Sequence, residues 1–249
     1  MFEQKVHHKH YHRRMIYPSA TSLVCTLLLA AAPFVFLFVG TQIGNIAFGP
    51  LMQDLALSSY RLAVAYFISV ICAWVLAVAF YKGLRGKVAL PIFDVLQSFP
   101  TFAAMPMAVY VLGPENIDTT IIFFLVITIM WPILFSIISA LKMVRSDWQD
   151  ASQMYNLRGI QYYTKFIIPV SLPGVITGTV IGLGEGWEAL IATEMVVQSQ
   201  QGLGHFFTTN AESVGITAFG IAGFLLLIFV FNRFVWLALL DWSHQQMAE

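Results

Sequence analysis

Residues 147–186 read DWQDASQMYNLRGIQYYTKFIIPVSLPGVITGTVIGLGEG. The first part is polar and carries Asp147, Asp150, Arg158 and Lys165; beyond Phe166 an apolar, glycine-studded run begins and extends to Met195. A helix needs about 20 apolar residues to cross the hydrocarbon core of a bilayer. The quoted stretch therefore reads as a polar segment outside lipid that feeds directly into a membrane span. The same kind of boundary recurs along the chain. Apolar stretches at 22–40, 61–81, 90–112, 119–141, 166–195 and 216–231 make six candidate spans. The last continues into an amphipathic tail (Phe234, Trp236, Leu237, Leu240, Trp242) suited to the membrane interface.

Composition agrees with that reading. Of 249 residues, 58% are hydrophobic and 10% charged, against roughly 45–50% and about 25% in soluble domains. So little charge cannot keep a soluble chain of this size dispersed, which excludes an ordinary soluble enzyme, a nucleic-acid binder and a disordered protein. The expected fold class is all-α and polytopic. Residues 1–21 form an N-terminal arm and 22–232 a transmembrane domain with a polar segment at 142–165, leaving 233–249 as a tail. The triplet Ala30-Ala31-Ala32 has the look of a signal-peptidase site, but Pro33 follows and the apolar run continues to Val39, so the first span is expected to be retained. Cys25 and Cys72 fall inside apolar runs and read as small buried residues.

The few charges orient the bundle. Lys5, Lys9, Arg13 and Arg14 precede the first span, and Lys82, Arg85 and Lys87 separate the second from the third. Lys142, Arg145, Arg158 and Lys165 separate the fourth from the fifth, and Arg233 follows the sixth. With six spans, twelve of the thirteen cations share one side. The positive-inside rule makes that side, and both termini, cytoplasmic. Arg61 is the exception. It reads either as a partner for a carboxylate or an incoming anion, or as an interfacial arginine reaching the headgroups.

Several residues inside the spans break the apolar pattern. Pro91, Pro100 and Pro106 are expected to kink or break the third span, because each removes a backbone donor and crowds the preceding turn. Freed carbonyls in lipid must face protein or water, so the segment reads as a pathway lining or as a kinked packing helix. Asp94 reads as a helix-end partner. Gly174, Gly178, Gly182 and Gly186 repeat every four residues and form a stripe that admits another backbone closely. Glu185 and Glu188 share a face near that stripe; carboxylates within a membrane mark functional sites by default unless the span ends before them. Glu194 falls on the opposite side and reads as an outer interfacial residue.

Catalytic patterns are missing from the sequence. There is no phosphate loop, no paired-histidine zinc helix and no nucleophile elbow. His7, His8, His10 and His12 read as a polar arm rather than a metal site, since no second ligand cluster accompanies them. His205 stands alone in the last outer loop. The polar segment 142–165 is more informative. Asp147 and Asp150 suit a helix start, and Asn156 or Gly159 can adopt the left-handed conformation that ends one. A short amphipathic helix, a turn and a second helix entering span five are expected, projecting on the cytoplasmic side.

This segment resembles the permease subunits of binding-protein-dependent ATP-binding-cassette importers. These carry a Glu-Ala-Ala motif, a glycine a few residues on, and Leu-Pro at the start of the next span. Asp150-Ala151-Ser152 and Leu172-Pro173 occupy the corresponding places, and the interval from Asp150 to Pro169 also fits; Asp replaces Glu, and Asn156 stands where the glycine is usual. Further likeness to the nitrate/sulfonate/taurine branch lies in Arg61, Ser98-Phe99-Pro100, Met105-Pro106, Trp187, Glu194 and Gly202-Leu203-Gly204.

The resemblance implies a type I importer permease of six spans in a bacterial inner membrane. It further implies pairing with a second permease chain, a cytosolic ATPase that binds ATP and magnesium, and a periplasmic or lipid-anchored solute-binding protein. The chain itself would be non-catalytic and would hold no cofactor or metal. Asp147, Asp150, Ala151, Ser152, Asn156, Arg158 and Gly159 would couple to the ATPase. Arg61, Pro100, Met105, Pro106, Glu185 and Glu188 are the pathway candidates for a small anionic solute. The rival readings are a free-standing secondary transporter or channel coupled through the span-five carboxylates, and an intramembrane enzyme for which no nucleophile or metal set is present.

Overall fold

The computed structural model describes residues 20–44 and 48–231. The N-terminal histidines, the tail from 232 onward, and the cations Lys5, Lys9, Arg13, Arg14 and Arg233 lie outside the described residues. Within them the chain is helical: α1 (Ala20–Gly44), α2 (Phe48–Phe80), α3 (Gly83–Gln97), α4 (Thr101–Leu112), α5 (Ile117–Lys142), α6 (Ser146–Met154), α7 (Ile160–Tyr162), α8 (Ile168–Val196), α9 (Leu203–Thr209) and α10 (Val214–Phe231). A π-helical turn (Tyr163–Ile167) joins α7 to α8 without a break in direction.

Three helices are long and apolar enough to cross a membrane alone: Phe48–Phe80, Ile117–Lys142 and Ile160–Val196. The pair α3 and α4 makes a fourth if it counts as one span bent by 81°. The apolar stretches of α1 and α10 are shorter, Leu27–Gln42 and Val214–Val230. The protein is therefore an all-α, multi-pass membrane protein.

Of the three prolines in the third apolar stretch, only Pro100 marks the break. Pro91 lies inside α3 and Pro106 inside α4, whereas Pro100 sits immediately before α4. At the bend the Ser98 hydroxyl donates to the freed Asp94 carbonyl at 3.1 Å, and the Gln97 side-chain amide donates to the Asp94 carboxylate at 2.7 Å. Asp94 is thus a helix-end partner.

The core is built on α5, which packs chiefly against α8 and α2. Ile121, Leu125, Ile129, Ile133 and Ile137 recur every four residues along α5 and are fully buried. They run against the glycine stripe of α8. A methyl group placed on Gly178 would meet Ile133 Cα at 2.5 Å, and one on Gly174 would meet the Ser136 carbonyl oxygen at 2.6 Å. A ridge of branched side chains on one helix fills a groove that only glycine leaves open on the other.

The helices also sort the charges. Trp74 near the end of α2 donates its indole N–H to the Ser171 hydroxyl near the start of α8, at 3.0 Å. The ends of α2 and α5 and the start of α8 therefore share one side of the bundle, so Lys82, Lys142, Arg145 and Lys165 cluster there. Arg61 belongs to the other side, with the start of α5 and the end of α8.

Candidate functional site

At the Arg61 side the structure gathers a buried polar cluster. Helix α2 begins thirteen residues before Arg61, because the polar stretch Gln53-Asp54 and Ser58-Ser59 continues the helix rather than preceding it. Arg61 is accordingly 4% exposed and is not an interfacial, headgroup-seeking side chain. Its Nη1 donates to Glu194 Oε1 at 2.6 Å and to the Gln201 carbonyl at 3.1 Å, while its Nε donates to Asp118 Oδ1 at 3.0 Å. Glu194 is fully buried, which overturns its reading as an outer interfacial residue. Its second oxygen accepts the Gly204 N–H at 2.8 Å, and both oxygens accept from the Ser58 hydroxyl.

The loop after α8 is held by the same groups. Ser58 Oγ accepts the Leu203 N–H at 2.9 Å and Asp54 accepts that of Gly202 at 2.7 Å. Gly202 has φ +111°, and a Cβ there would lie 2.5 Å from Glu194 Oε1. Glycine is required twice over, by the backbone angle and by the carboxylate. Each buried charge has an ionic partner and further hydrogen bonds, the condition under which charges persist away from water.

A second feature runs along the α4–α5–α8 face. Gln97, Phe99, Thr101, Thr128, Trp131 and Glu185 are among the residues lining an open groove of ≈ 520 Å³. Ser136 lines this groove and also a wider one of ≈ 720 Å³ that descends past Met143, Arg145, Trp148 and Pro173 to α6. Ser136 is the one residue that lines both, with the α3–α4 bend at the far end of the first groove and α6 at the far end of the second. Pro100 shapes the upper groove through its neighbours Phe99 and Thr101. Met105 is 1% exposed and packs in the interior. Pro106 and Glu188 are exposed, and neither lines the groove; Glu185 does.

The third feature is the polar segment. Helix α6 carries Asp147 in its first turn, where the helix dipole favours a negative charge. Asp147 pairs with Arg145 at 2.7 Å on the surface, an exposed pair worth at most about 1 kcal/mol. Asp150 and Arg158 are exposed, Ala151 lies within α6, and Ser152 is buried with its hydroxyl donating to the Gln149 carbonyl at 2.7 Å. Of the two residues expected to end the helix, Asn156 has φ +50° two residues after α6, while Gly159, with φ +53° and ψ −130°, immediately precedes α7. Met154 and Tyr155 are 87% and 81% exposed beside the acidic residues.

The structure thus brings Arg61 together with Glu194 and Asp118, and Glu185 with the α3–α4 bend; it does not bring Arg61 to Glu185 or Glu188. Sequence reasoning missed Ser58, Asp118 and Trp131, and it misplaced Glu194. A signal for Glu194 was present: it continues the four-residue series Gly174, Gly178, Gly182, Gly186, Leu190, every member of which is buried. Among the described residues no group of three or more His, Cys, Asp or Glu is placed to hold a metal ion.

The described residues thus form a multi-pass helical membrane bundle with open grooves on one face and an exposed, polar connecting helix. The chain matches the model for "Binding-protein-dependent transport system inner membrane component" over residues 65–242, and it belongs to that family. Among curated relatives, it is 31% identical over 143 residues to the nitrate import permease protein NrtB of Synechocystis sp., covering 55% of this chain and 51% of that one. It is 29% identical over 184 residues to the taurine transport system permease protein TauC of Escherichia coli, covering 71% and 66%. With the bicarbonate transport system permease protein CmpB of Synechocystis sp. it shares 32% identity over 123 residues, covering 49% and 43%. The chain spans about half to two thirds of the length of curated relatives such as the nitrate and taurine permeases.

Proposed function

We propose that this chain is the non-catalytic permease subunit of an ATP-binding-cassette importer in a bacterial inner membrane. It spans that membrane six times with both termini in the cytoplasm, and α1 and α10 supply the outermost spans. A second copy of the chain closes the groove into a pathway for a small solute bearing an anionic group. That solute class is the one shared by the names of the nitrate, taurine and bicarbonate relatives. A solute-binding protein delivers it from the Arg61 side. Cytosolic ATPase subunits bind ATP and magnesium on the opposite side.

The observation that carries this reading is the pairing of groove and polar helix. Helix α6 stands at the mouth of the lower groove, and Trp148 and Arg145 line both the mouth and the start of that helix. A tilt of α6, imposed by a partner that closes on ATP, reaches α5 and α8 through the short connections that join α6 to the end of α5 and, by way of α7, to the start of α8. Asp150, Met154 and Tyr155 present an acidic and apolar surface to such a partner, while the turn at Asn156 and Gly159 fixes its angle to the bundle.

Reconstitution tests the reading. Proteoliposomes holding this chain, its cognate ATPase and its binding protein should accumulate solute only with internal or external ATP accessible to the ATPase. Accumulation by the purified chain alone, driven by a proton or sodium gradient, would establish the secondary-transporter alternative instead.

A further inference from the structure

The end of the bundle that carries Lys82, Lys142, Arg145 and Lys165 also holds an apolar groove that shares no residue with the two described above. It measures ≈ 510 Å³ and lies between the end of α2 and the first half of α3, with Phe80, Leu84, Val88, Ile92 and Phe93 among its lining. Arg85 is its one polar lining residue. Helix α3 is held along a narrow line: Gly86 and Ala89 are buried, and Phe93 meets Phe80 edge-on with ring centroids 5.5 Å apart. The side facing away is open, with Leu84 78% exposed, Val88 58% and Ile92 52%. These three residues recur every four positions and form one stripe along the helix.

The charges around this groove are of one sign. Residues 82–93 hold Lys82, Arg85 and Lys87 and no acid. All three cations are exposed. Among the described residues none of them has an ion-pair partner, whereas Arg61 and Arg145 are both paired. The Lys82 ammonium stands over the Tyr81 ring, 5.0 Å from its centroid, which keeps that charge at the α2–α3 junction. A soluble anion would satisfy these charges and leave the apolar stripe bare; a neutral lipid would do the reverse. An anionic phospholipid satisfies both, and a guanidinium can hold its phosphate through two parallel N–H bonds.

We propose that the α2–α3 groove is a binding site for one anionic phospholipid of the leaflet on the ATPase side. An acyl chain lies along Leu84, Val88 and Ile92, and Arg85 takes the phosphate. Lys82 and Lys87 add the attraction that favours a net negative headgroup over a zwitterionic one. The bound lipid fills the space between α2 and α3 and steadies α3 on its side of the 81° bend. The proposal uses the membrane sidedness of the permease reading and nothing about the solute.

Native mass spectrometry of the full purified chain counts the bound lipid. The chain is titrated with phosphatidylglycerol and, separately, with phosphatidylcholine of the same acyl chains. The wild type should hold its first phosphatidylglycerol about tenfold more tightly than phosphatidylcholine, as expected for a few basic side chains facing one anionic headgroup. The preference should vanish when Lys82→Gln, Arg85→Gln and Lys87→Gln are combined. It should remain in Lys142→Gln with Lys165→Gln, which removes as much charge as two of those changes from the same end but away from the groove. Val88→Trp keeps every cation and fills the groove, so it should lose most of the retained phosphatidylglycerol; Ile92→Trp is the second such variant should the first not purify. A preference that survives the triple variant, or that is lost equally in the Lys142 and Lys165 variant, overturns the proposal. A tryptophan variant that binds as the wild type does overturns it too, since headgroups would then be drawn only by diffuse surface charge. Displacement of the lipid by glycerol 3-phosphate at equal concentration would mark a soluble-anion site and would likewise overturn it. None of these results bears on ATP-driven uptake, which tests the permease reading separately.

Discussion

At the scale of single residues, the decisive contact is between Arg61 and Glu194. Both are buried: removing Arg61 leaves Glu194 as an uncompensated buried charge, which typically costs about 3–5 kcal/mol, and removing Glu194 leaves Arg61 only the largely exposed Asp118 as an ionic partner. Glu194→Gln and Arg61→Gln should each sharply lower the thermal stability of the detergent-solubilised protein, followed by fluorescence-detected size exclusion. Ser58→Ala should cost less, about 1–3 kcal/mol, by leaving the Leu203 N–H unsatisfied. Equal melting of wild type and Glu194→Gln would contradict the burial of this pair. Loss of uptake in Arg61→Gln then follows from loss of the pair, rather than from loss of an anion-attracting surface charge. The sequence marked Arg61 as the odd cation and left its partner open. Glu194 was read as interfacial on the expectation that the span ends before it, whereas α8 continues to Val196 and buries it. In the structure Glu185 and Glu188 are on the exposed face and the far side is the core.

At the scale of elements, the fit of α5 to α8 and the turn after α6 carry most of the information. Gly178→Ala forces a Cβ to within 2.5 Å of Ile133 Cα, a backbone atom that cannot yield without moving α5. It should destabilise the protein measurably, and Gly178→Leu should abolish a monodisperse fold. Gly184→Ala, with nothing within 4 Å of the added methyl, is the matched control and should be neutral. Equivalent behaviour of positions 178 and 184 would contradict the packing described. In the turn, Asn156→Val places a β-branched residue at φ +50°; the left-handed conformation costs such a residue upward of about 1–2 kcal/mol, so the variant should lose coupling to the ATPase while Asn156→Gly retains it. Transport-coupled ATP hydrolysis is the readout. These elements were legible because glycine periodicity and helix-ending residues are local signals. The start of α2 was not, since Gln53, Asp54 and Ser58 lower the apolar score of a segment in which Asp54 and Ser58 bond to Gly202 and Leu203, 148 and 145 residues further on. Pro100 rather than Pro91 or Pro106 became the break for a similar reason: which proline yields depends on whether neighbouring side chains can take up the freed carbonyls.

At the scale of the whole molecule, the two ends of the bundle differ in kind. One end is locked by a buried ionic cluster that ties α2, α5, α8 and the loop before α9 together. The other presents a short acidic helix at the mouth of a groove, ready to be moved. Length and charge placement made the membrane class and the sidedness of the cations readable from sequence. The groove was not readable, because its lining comes from four segments brought together only by the 81° bend of α3 against α4 and the close approach of α5 and α8. The central claim is that α6 docks an ATPase. It is tested most directly by tagging this chain, expressing it with its cognate ATPase, and measuring ATPase captured per permease for wild type and Asp150→Lys. Asp150 is exposed, so the variant should melt at the wild-type temperature while capturing far less ATPase, at least tenfold below wild type if the charge reversal removes about 1.4 kcal/mol or more of docking energy. Wild-type capture by the Asp150→Lys protein, with undiminished ATP-driven uptake, would contradict the account.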